Sequence, residues 1–177
     1  MIDLVLYGPG GPQPLGRPAT VRVEIRNTGD RDLWIAGVLD GSENGLRLPR
    51  YLPTVTRAEA SGGGDEDGAV VASPAPAEDP LVGPLRPTDL RRLAPGESWD
   101  PVSGAGCLPL MTFAHFAPRR PGRYRYALTL DTEAARPEEW LGGFGVPVGA
   151  AREELLALVA RVPRTKVVAD PVEVDFR

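Results

Sequence analysis

The sequence predicts a mainly β chain, an antiparallel β-sandwich of about seven to nine strands with one helix near the C terminus. Several segments alternate apolar and polar residues with the period of two that half-buried strands require. Glycine (21 residues) and proline (20 residues) are abundant, which favours frequent turns. The strand-like segments follow one another with turns between them, a pattern typical of antiparallel sheets rather than of alternating strands and helices.

The N-terminal part of the chain predicts three strands. Residues 2–7 alternate from the start of the chain. Residues 19–26 carry three branched aliphatic side chains on one face and charged or polar ones on the other. The letters "NTGD" (27–30) favour a tight turn, since Asn and Gly tolerate positive φ. Residues 32–39 then form the next strand, and we expect it to pair with 19–26 as a hairpin.

The middle of the chain is less regular. Residues 46–57 contain two prolines and predict an extended segment at a sheet edge. Residues 58–87 are rich in Gly, Ala, Pro and acid, so we expect a flexible acidic insertion there, with a short strand at 69–72. Residues 88–100 return to an ordered pattern with a Pro-Gly turn. Residues 107–116 are a candidate strand with a proline near its start.

The stretch "RRPGRYRYALTLD" (119–131) combines four arginines with two tyrosines. It would suit a nucleic-acid surface if the aromatic side chains lay beside the arginines. Strict alternation instead places Tyr124 and Tyr126 on the face opposite to Arg123 and Arg125. We therefore predict a late strand with a buried tyrosine whose hydroxyl bonds to nearby backbone.

The C-terminal part predicts one helix and a final strand. Residues 135–145 favour a helical turn followed by a loop. Residues 150–162 show apolar side chains at helical spacing, and a proline follows them. Residues 166–177 alternate as a strand that Asp170–Pro171 could interrupt. The whole chain, 1–177, is interpreted as a single domain.

Three segments together carry a family resemblance. "VRVEIRNTGDRDLWI", then "LAPGES" and then "PGRYRYALTL" place an Asn-containing turn, a Pro-Gly-Glu turn and a Gly-x-Tyr strand start in one order. This order resembles bacterial immunoglobulin-like sandwich domains and is similar to the BsuPI-type intracellular proteinase inhibitor family. The match covers Val21 to Asp131 with a gap at 58–87. The resemblance implies an immunoglobulin-like sandwich and, more remotely, proteinase inhibition through an exposed loop.

Composition argues against several classes of function. The formal net charge is −4 and the isoelectric point is near 5.1, whereas nucleic-acid binders usually carry a basic excess. A single cysteine excludes an intrachain disulfide and fits a reducing compartment. The N terminus lacks the features of a signal peptide, and no apolar stretch approaches the length of a membrane span. We expect a cytoplasmic protein that binds neither nucleic acid nor membrane.

Several residues suggest chemistry, and each has a simpler structural interpretation. Cys107 and His115 could form a nucleophilic pair, but on one strand they would lie far apart. "DGSENG" (40–45) resembles half of a calcium loop, without the acidic twelfth position, and reads as a turn. We therefore predict no catalytic residue, metal or cofactor. The carboxylates that could serve in glycoside hydrolysis are Asp89, Glu97, Asp100, Glu138 and Glu139.

The candidate binding surface consists of Trp99, Trp140, Arg123 and Arg125. The leading expectation is a non-catalytic interaction module that recognises another protein, or a second copy of itself, through loops or an exposed edge strand. The alternative is a carbohydrate-binding or hydrolytic accessory domain that uses the two tryptophans. That alternative predicts a solvent-exposed aromatic platform with acidic side chains beside it, and burial of both tryptophans would refute it.

Overall fold

The computed structural model describes residues 1–58, 68–76 and 81–177. Within these ranges the chain forms ten strands, two short helices and two 3-10 turns. The elements are, in order, β1 (Ile2–Tyr7), β2 (Arg22–Asn27), β3 (Leu33–Ala36), β4 (Arg50–Arg57), β5 (Val70–Ala72), a 3-10 turn (Pro87–Asp89), β6 (Leu90–Leu93), β7 (Ser98–Trp99), α1 (Met111–His115), β8 (Gly122–Asp131), a 3-10 turn (Pro137–Trp140), α2 (Ala150–Val159), β9 (Lys166–Val168) and β10 (Val172–Phe176).

The strands form three antiparallel sheets. One has the order β1-β2-β7, a second pairs β3 with β6, and the largest has the order β10-β8-β4-β5, with β9 also paired to β8. A single cluster of buried apolar side chains contains residues from all three sheets. The predicted mainly β class and sandwich arrangement are confirmed. None of the helices in the described part of the chain has the length and apolar character needed to cross a bilayer.

Strand β8 confirms the prediction made for the arginine- and tyrosine-rich stretch. Its inward side chains are at most 4% exposed, whereas Arg123 and Arg125 face outwards. The Tyr124 hydroxyl donates a hydrogen bond to the Arg120 carbonyl at 2.9 Å, which is the predicted bond to nearby backbone. The period of two thus places alternate side chains of this ten-residue strand in the core and on the outer face.

The predicted hairpin between residues 19–26 and 32–39 is wrong. Strand β2 pairs with β1 and β7, whereas β3 pairs with β6 in another sheet. The fully buried side chain of Asn27 accounts for the change of sheet. Its Nδ2 donates to the Arg31 carbonyl at 2.8 Å and to the Leu93 carbonyl at 3.0 Å, and its Oδ1 accepts the Gly29 N–H. The turn is therefore held to the end of β6 rather than closed into a hairpin.

The strand predicted for residues 107–116 is also wrong, because Met111–His115 form α1. Pro109 lacks the N–H that a central strand would use. The carboxylate of Glu43 accepts the backbone N–H groups of Met111 and Thr112, both at 2.7 Å. This cap comes from a loop 68 residues earlier in the chain, so the local pattern of residues 107–116 contains no trace of it.

The edge position predicted for residues 46–57 is wrong, because β4 lies inside the largest sheet, between β8 and β5.

The predictions for the C-terminal helix and for the short elements hold with shifted ends. The helix predicted at 150–162 runs from Ala150 to Val159, with Leu155 and Val159 buried. The final strand is interrupted at Asp170–Pro171, giving β9 and β10. The short strand expected within 69–72 is β5, and the helical turn expected within 135–145 is a 3-10 turn.

The predicted insertion is described in part. Residues 59–67 and 77–80 lie outside the described residues, and the expectation of a flexible acidic segment falls largely on them. Leu85 is 1% exposed, and its N–H bonds to the Leu141 carbonyl at 3.0 Å. The neighbouring carbonyl of Gly83 accepts from Nη1 of the buried Arg47. The end of the predicted insertion therefore forms part of the core.

Candidate binding groove

Strand β5 is an outer strand of the largest sheet. It pairs with β4 on one side, and among the described residues no strand pairs with its other side. Val55 pairs with Ala72 and Thr56 with Val70, so Val71 is the additional residue of a β-bulge. Val71 remains 42% exposed. A bulge at a sheet edge changes the direction of a side chain, and here Val71 lines the surface hollows beside the sheet.

The larger hollow has a volume of about 610 Å³ and three walls. One wall is the chain from Val71 to Ala75, the second is the loop after β3, and the third is α1 with the residues on either side of it. Leu108 and Met111 in the third wall are 43% and 44% exposed. A concave site lined by partly exposed apolar side chains is typical of a binding surface.

A second hollow of about 340 Å³ continues from the first. The two hollows share Val71 and Phe116 in their linings, and together they are called the β5 groove below. The second hollow is lined by Arg57, Ala69, Val71, Phe116, Pro118, Arg119, Arg120 and Tyr124.

The walls of the β5 groove are fixed by contacts that reach the core. The double hydrogen bond from Glu43 holds the start of α1. Phe116, just after α1, contacts Tyr124 edge to face at a centroid distance of 5.2 Å. It also contacts Tyr126 at 6.0 Å and Phe176 at 6.4 Å. Since the three contacted rings are buried, they fix the position of the Phe116 ring, which lines both hollows.

The two hollows differ in charge. Asp40 and Glu43 line the larger hollow together with the exposed His115, whereas the second hollow is lined by three arginines. The Glu43 carboxylate accepts the α1 cap hydrogen bonds, and the exposed Asp40 interacts electrostatically with the buried Arg47 guanidinium. The exposed Arg119 forms no ion pair with any residue of 1–58, 68–76 or 81–177. The β5 groove therefore has an acidic end and a basic end.

The four residues of the predicted binding surface do not lie together on one surface of the protein. The prediction for Trp140 is wrong, because this side chain is 2% exposed and belongs to the core. Trp99 is half-buried and packs against the core in β7, with the Arg91 guanidinium 5.4 Å from its ring centre. Arg123 and Arg125 are exposed on the outer face of β8. Both contact Glu173 in β10, at 3.3 and 3.0 Å.

The suggested Cys107–His115 pair does not form a site. Cys107 lies before α1 against Gly37, and its Sγ would be 2.6 Å from a Cβ placed at that glycine. Burial, with Asp89 and Asp100 nearby, raises the pKa of the Cys107 thiol and so disfavours the thiolate. His115 lines the β5 groove, and Cys107 does not.

Four of the five acidic residues that could serve in glycoside hydrolysis hold a local turn. Four carboxylates accept backbone N–H groups two or three residues away, and Glu138 lies 3.8 Å from Arg152. Within the described residues, no group of three or more His, Cys, Asp or Glu side chains could hold a metal ion. Residues 40–45 form a turn, as predicted. The four backbone contacts are Asp89 with Arg86 (2.8 Å), Glu97 with Ala94 (2.9 Å), Asp100 with Val102 (3.0 Å) and Glu139 with Arg136 (3.0 Å).

Sequence reasoning missed the apolar wall of the β5 groove. Leu108, Met111 and Phe116 fell within the segment interpreted as a strand, where such residues are expected to face the core. The available signal was Pro109, because proline is favoured at the start of helices and disfavoured in central strands. The edge position of β5 was anticipated only as a general property of an interaction module.

Comparison with models of protein families, with curated proteins and with solved structures found no match for this chain. The resemblance to immunoglobulin-like domains and to the BsuPI-type inhibitors therefore stays a prediction. A functional assignment depends on the geometry of the β5 groove.

Proposed function

We propose that this chain is a non-catalytic protein-interaction module that holds a segment of a partner protein in the β5 groove. The observation that carries the proposal is the larger hollow of about 610 Å³, whose wall presents Leu108 and Met111 at 43% and 44% exposure. The Glu43 cap fixes the backbone that carries Met111, so a partner that covers this side chain need not order the backbone beneath it. A partner side chain entering the hollow would bury Leu108 and Met111 further.

The mode of binding follows from the form of β5. The strand has three residues and a bulge at Val71. Short length and bulges are the features by which edge strands resist pairing with another chain. Side-chain contacts in the groove are therefore favoured over addition of a partner strand to the sheet.

Two narrower versions receive less support. The carbohydrate-binding alternative predicts an exposed aromatic platform, whereas Trp140 is buried and Trp99 is half-buried. The proteinase-inhibitor version needs a pre-organised exposed loop, and no observation on the described residues favours one. We place the module in the cytoplasm, since its single cysteine fits a reducing compartment.

The proposal is tested by site-specific photocrosslinking in cells of the source organism. A benzophenone amino acid replaces Met111 in one variant and Val148 in the control, whose side chain is 82% exposed and lies outside the groove. We expect a discrete protein to be captured at Met111 and not at Val148. The captured protein is then purified and its affinity measured for the wild type and for Met111→Glu.

A loss of affinity of about tenfold or more in Met111→Glu, with Val148→Glu unchanged, would support the proposal. Capture of a second copy of this chain would identify the partner as the chain itself, and light scattering would then show a dimer. Equal capture at both positions, or unchanged affinity in Met111→Glu, would refute binding in the β5 groove.

A further inference from the structure

We infer that the segment bound in the β5 groove is an extended peptide with an apolar centre, a basic side chain at one end and an acidic side chain at the other. The inference rests on the proposed function and adds the chemistry of the occupant. It depends on three features of the groove: its continuity, the separation of its charges and its length.

Continuity comes from the two residues that both hollows share. Val71 projects from the bulged edge strand, and Phe116 lies opposite, after α1. These two side chains lie where the hollows meet, and Leu108 and Met111 add apolar surface to the larger hollow. An occupant that fills both hollows must therefore place apolar side chains at its middle.

The separation of charges selects the ends of the occupant. Asp40 and Glu43 line only the larger hollow, and Arg119 lines only the second. A basic side chain is therefore favoured in the larger hollow and an acidic one in the second. Like charges at either place would be repelled, so the arrangement discriminates between peptides of different charge order.

The length of the groove sets the spacing of the two charges. Ala69 lines only the second hollow and Ala75 only the larger one, six residue steps apart along the chain. At about 3.3 Å per residue this corresponds to at most about 20 Å. An extended occupant should therefore carry its two charges about six residues apart, with alternate apolar side chains between them.

The test uses four fluorescent synthetic peptides of nine residues with the same alternating leucine centre. Their second and eighth positions are Lys and Glu, Glu and Lys, two Lys, or two Glu. Fluorescence anisotropy at low salt gives the dissociation constants. We expect the better of the two mixed peptides to bind about fivefold or more tightly than either uniform peptide. The net charge of −4 alone would instead favour the peptide with two lysines.

Variants at the two ends should change this preference in opposite directions. In Asp40→Lys the peptide with two glutamates should bind best, and in Arg119→Glu the peptide with two lysines should bind best. Arg123→Glu is the matched control, since Arg123 is an exposed arginine on the outer face of β8, outside the groove. It should preserve the order of affinities found for the wild type.

The outcomes separate the inference from the proposed function. Equal binding of all four peptides, abolished by Met111→Glu, would overturn the charge polarity and leave the groove as the binding site. Binding that Met111→Glu does not weaken would overturn both. If no peptide binds, the inference fails, and crosslinking at Met111 still decides the proposed function.

Discussion

Replacing Asn27 with alanine should destabilise the fold strongly, because this polar side chain links two turns inside the core. The side chain is fully buried and makes three hydrogen bonds of 2.8 to 3.0 Å. Its backbone makes two more, from its N–H to the Glu97 carbonyl and from the Gly96 N–H to its carbonyl. Alanine retains the backbone bonds and removes the side-chain bonds that join the turn after β2 to the end of β6.

The magnitude follows from the number of bonds and from burial. Each intramolecular hydrogen bond contributes about 1 kcal/mol net, so three of them contribute about 3 kcal/mol. The Leu93 carbonyl lies in a buried hydrogen bond with Asn27 and would lose its partner there, which adds to the cost. A loss of about 3 kcal/mol is a large part of the about 5–15 kcal/mol that stabilises a typical domain.

The assay is urea unfolding followed by tryptophan fluorescence, which the three tryptophans of the chain make accessible. Asn44→Ala is the matched control, because Asn44 is exposed, and its effect should stay within about 0.5 kcal/mol. The slope of the unfolding free energy against urea should be the same in both variants. A loss below about 1 kcal/mol in Asn27→Ala would refute the assignment of this side chain as the link between the two turns.

Three further outcomes are expected. Tyr124→Phe removes the hydroxyl bond to Arg120 and should cost about 1 kcal/mol in urea unfolding, and no measurable loss would contradict that role. Leu85→Ala should lower the free energy of unfolding by about 3 kcal/mol, because Leu85 is buried. The control Val148→Ala should change it by no more than about 0.5 kcal/mol. Equal effects of the two variants would show that residues 81–86 do not pack in the core. Burial and nearby acids raise the pKa of the Cys107 thiol. The rate of its alkylation by iodoacetamide should therefore rise with pH, and the pH of half-maximal rate should be higher in the native protein than in urea. A lower midpoint pH in the native protein would contradict this cause.

Local alternation predicted the parts of the fold that depend on one strand facing one core. The alternation noted in Ile2–Tyr7 and the inward face assigned to β8 both agree with the structure, because a period of two separates buried from exposed side chains. Alternation says nothing about which strand lies beside which. The sheet exchange after β2 depends on Asn27 reaching Leu93, 66 residues away, and such a bond leaves no periodic signal.

The β5 groove was harder to predict from the sequence than the strands, because contacts between distant segments leave no local pattern. Aromatic and arginine residues were selected as candidate binding groups by their type, yet Trp140 is in the core and Arg123 and Arg125 are joined through Glu173. The β5 groove is assembled from segments far apart in the chain. The interaction module expected from the sequence stays a prediction, and the edge position of β5 with its exposed apolar side chains is the observation on which we base the proposal.

The cap on α1 has a consequence for the order of folding. A helix of five residues is far shorter than the about 12–15 residues at which isolated helices begin to persist in water. We therefore expect α1 to form when the Glu43 carboxylate reaches it, which closes a loop of 68 residues. Such non-local contacts form late. If the β5 groove binds a partner as proposed, we expect a chain still emerging from the ribosome to present no groove, and a local opening of the turn at residues 40–45 to weaken binding without unfolding the sheets.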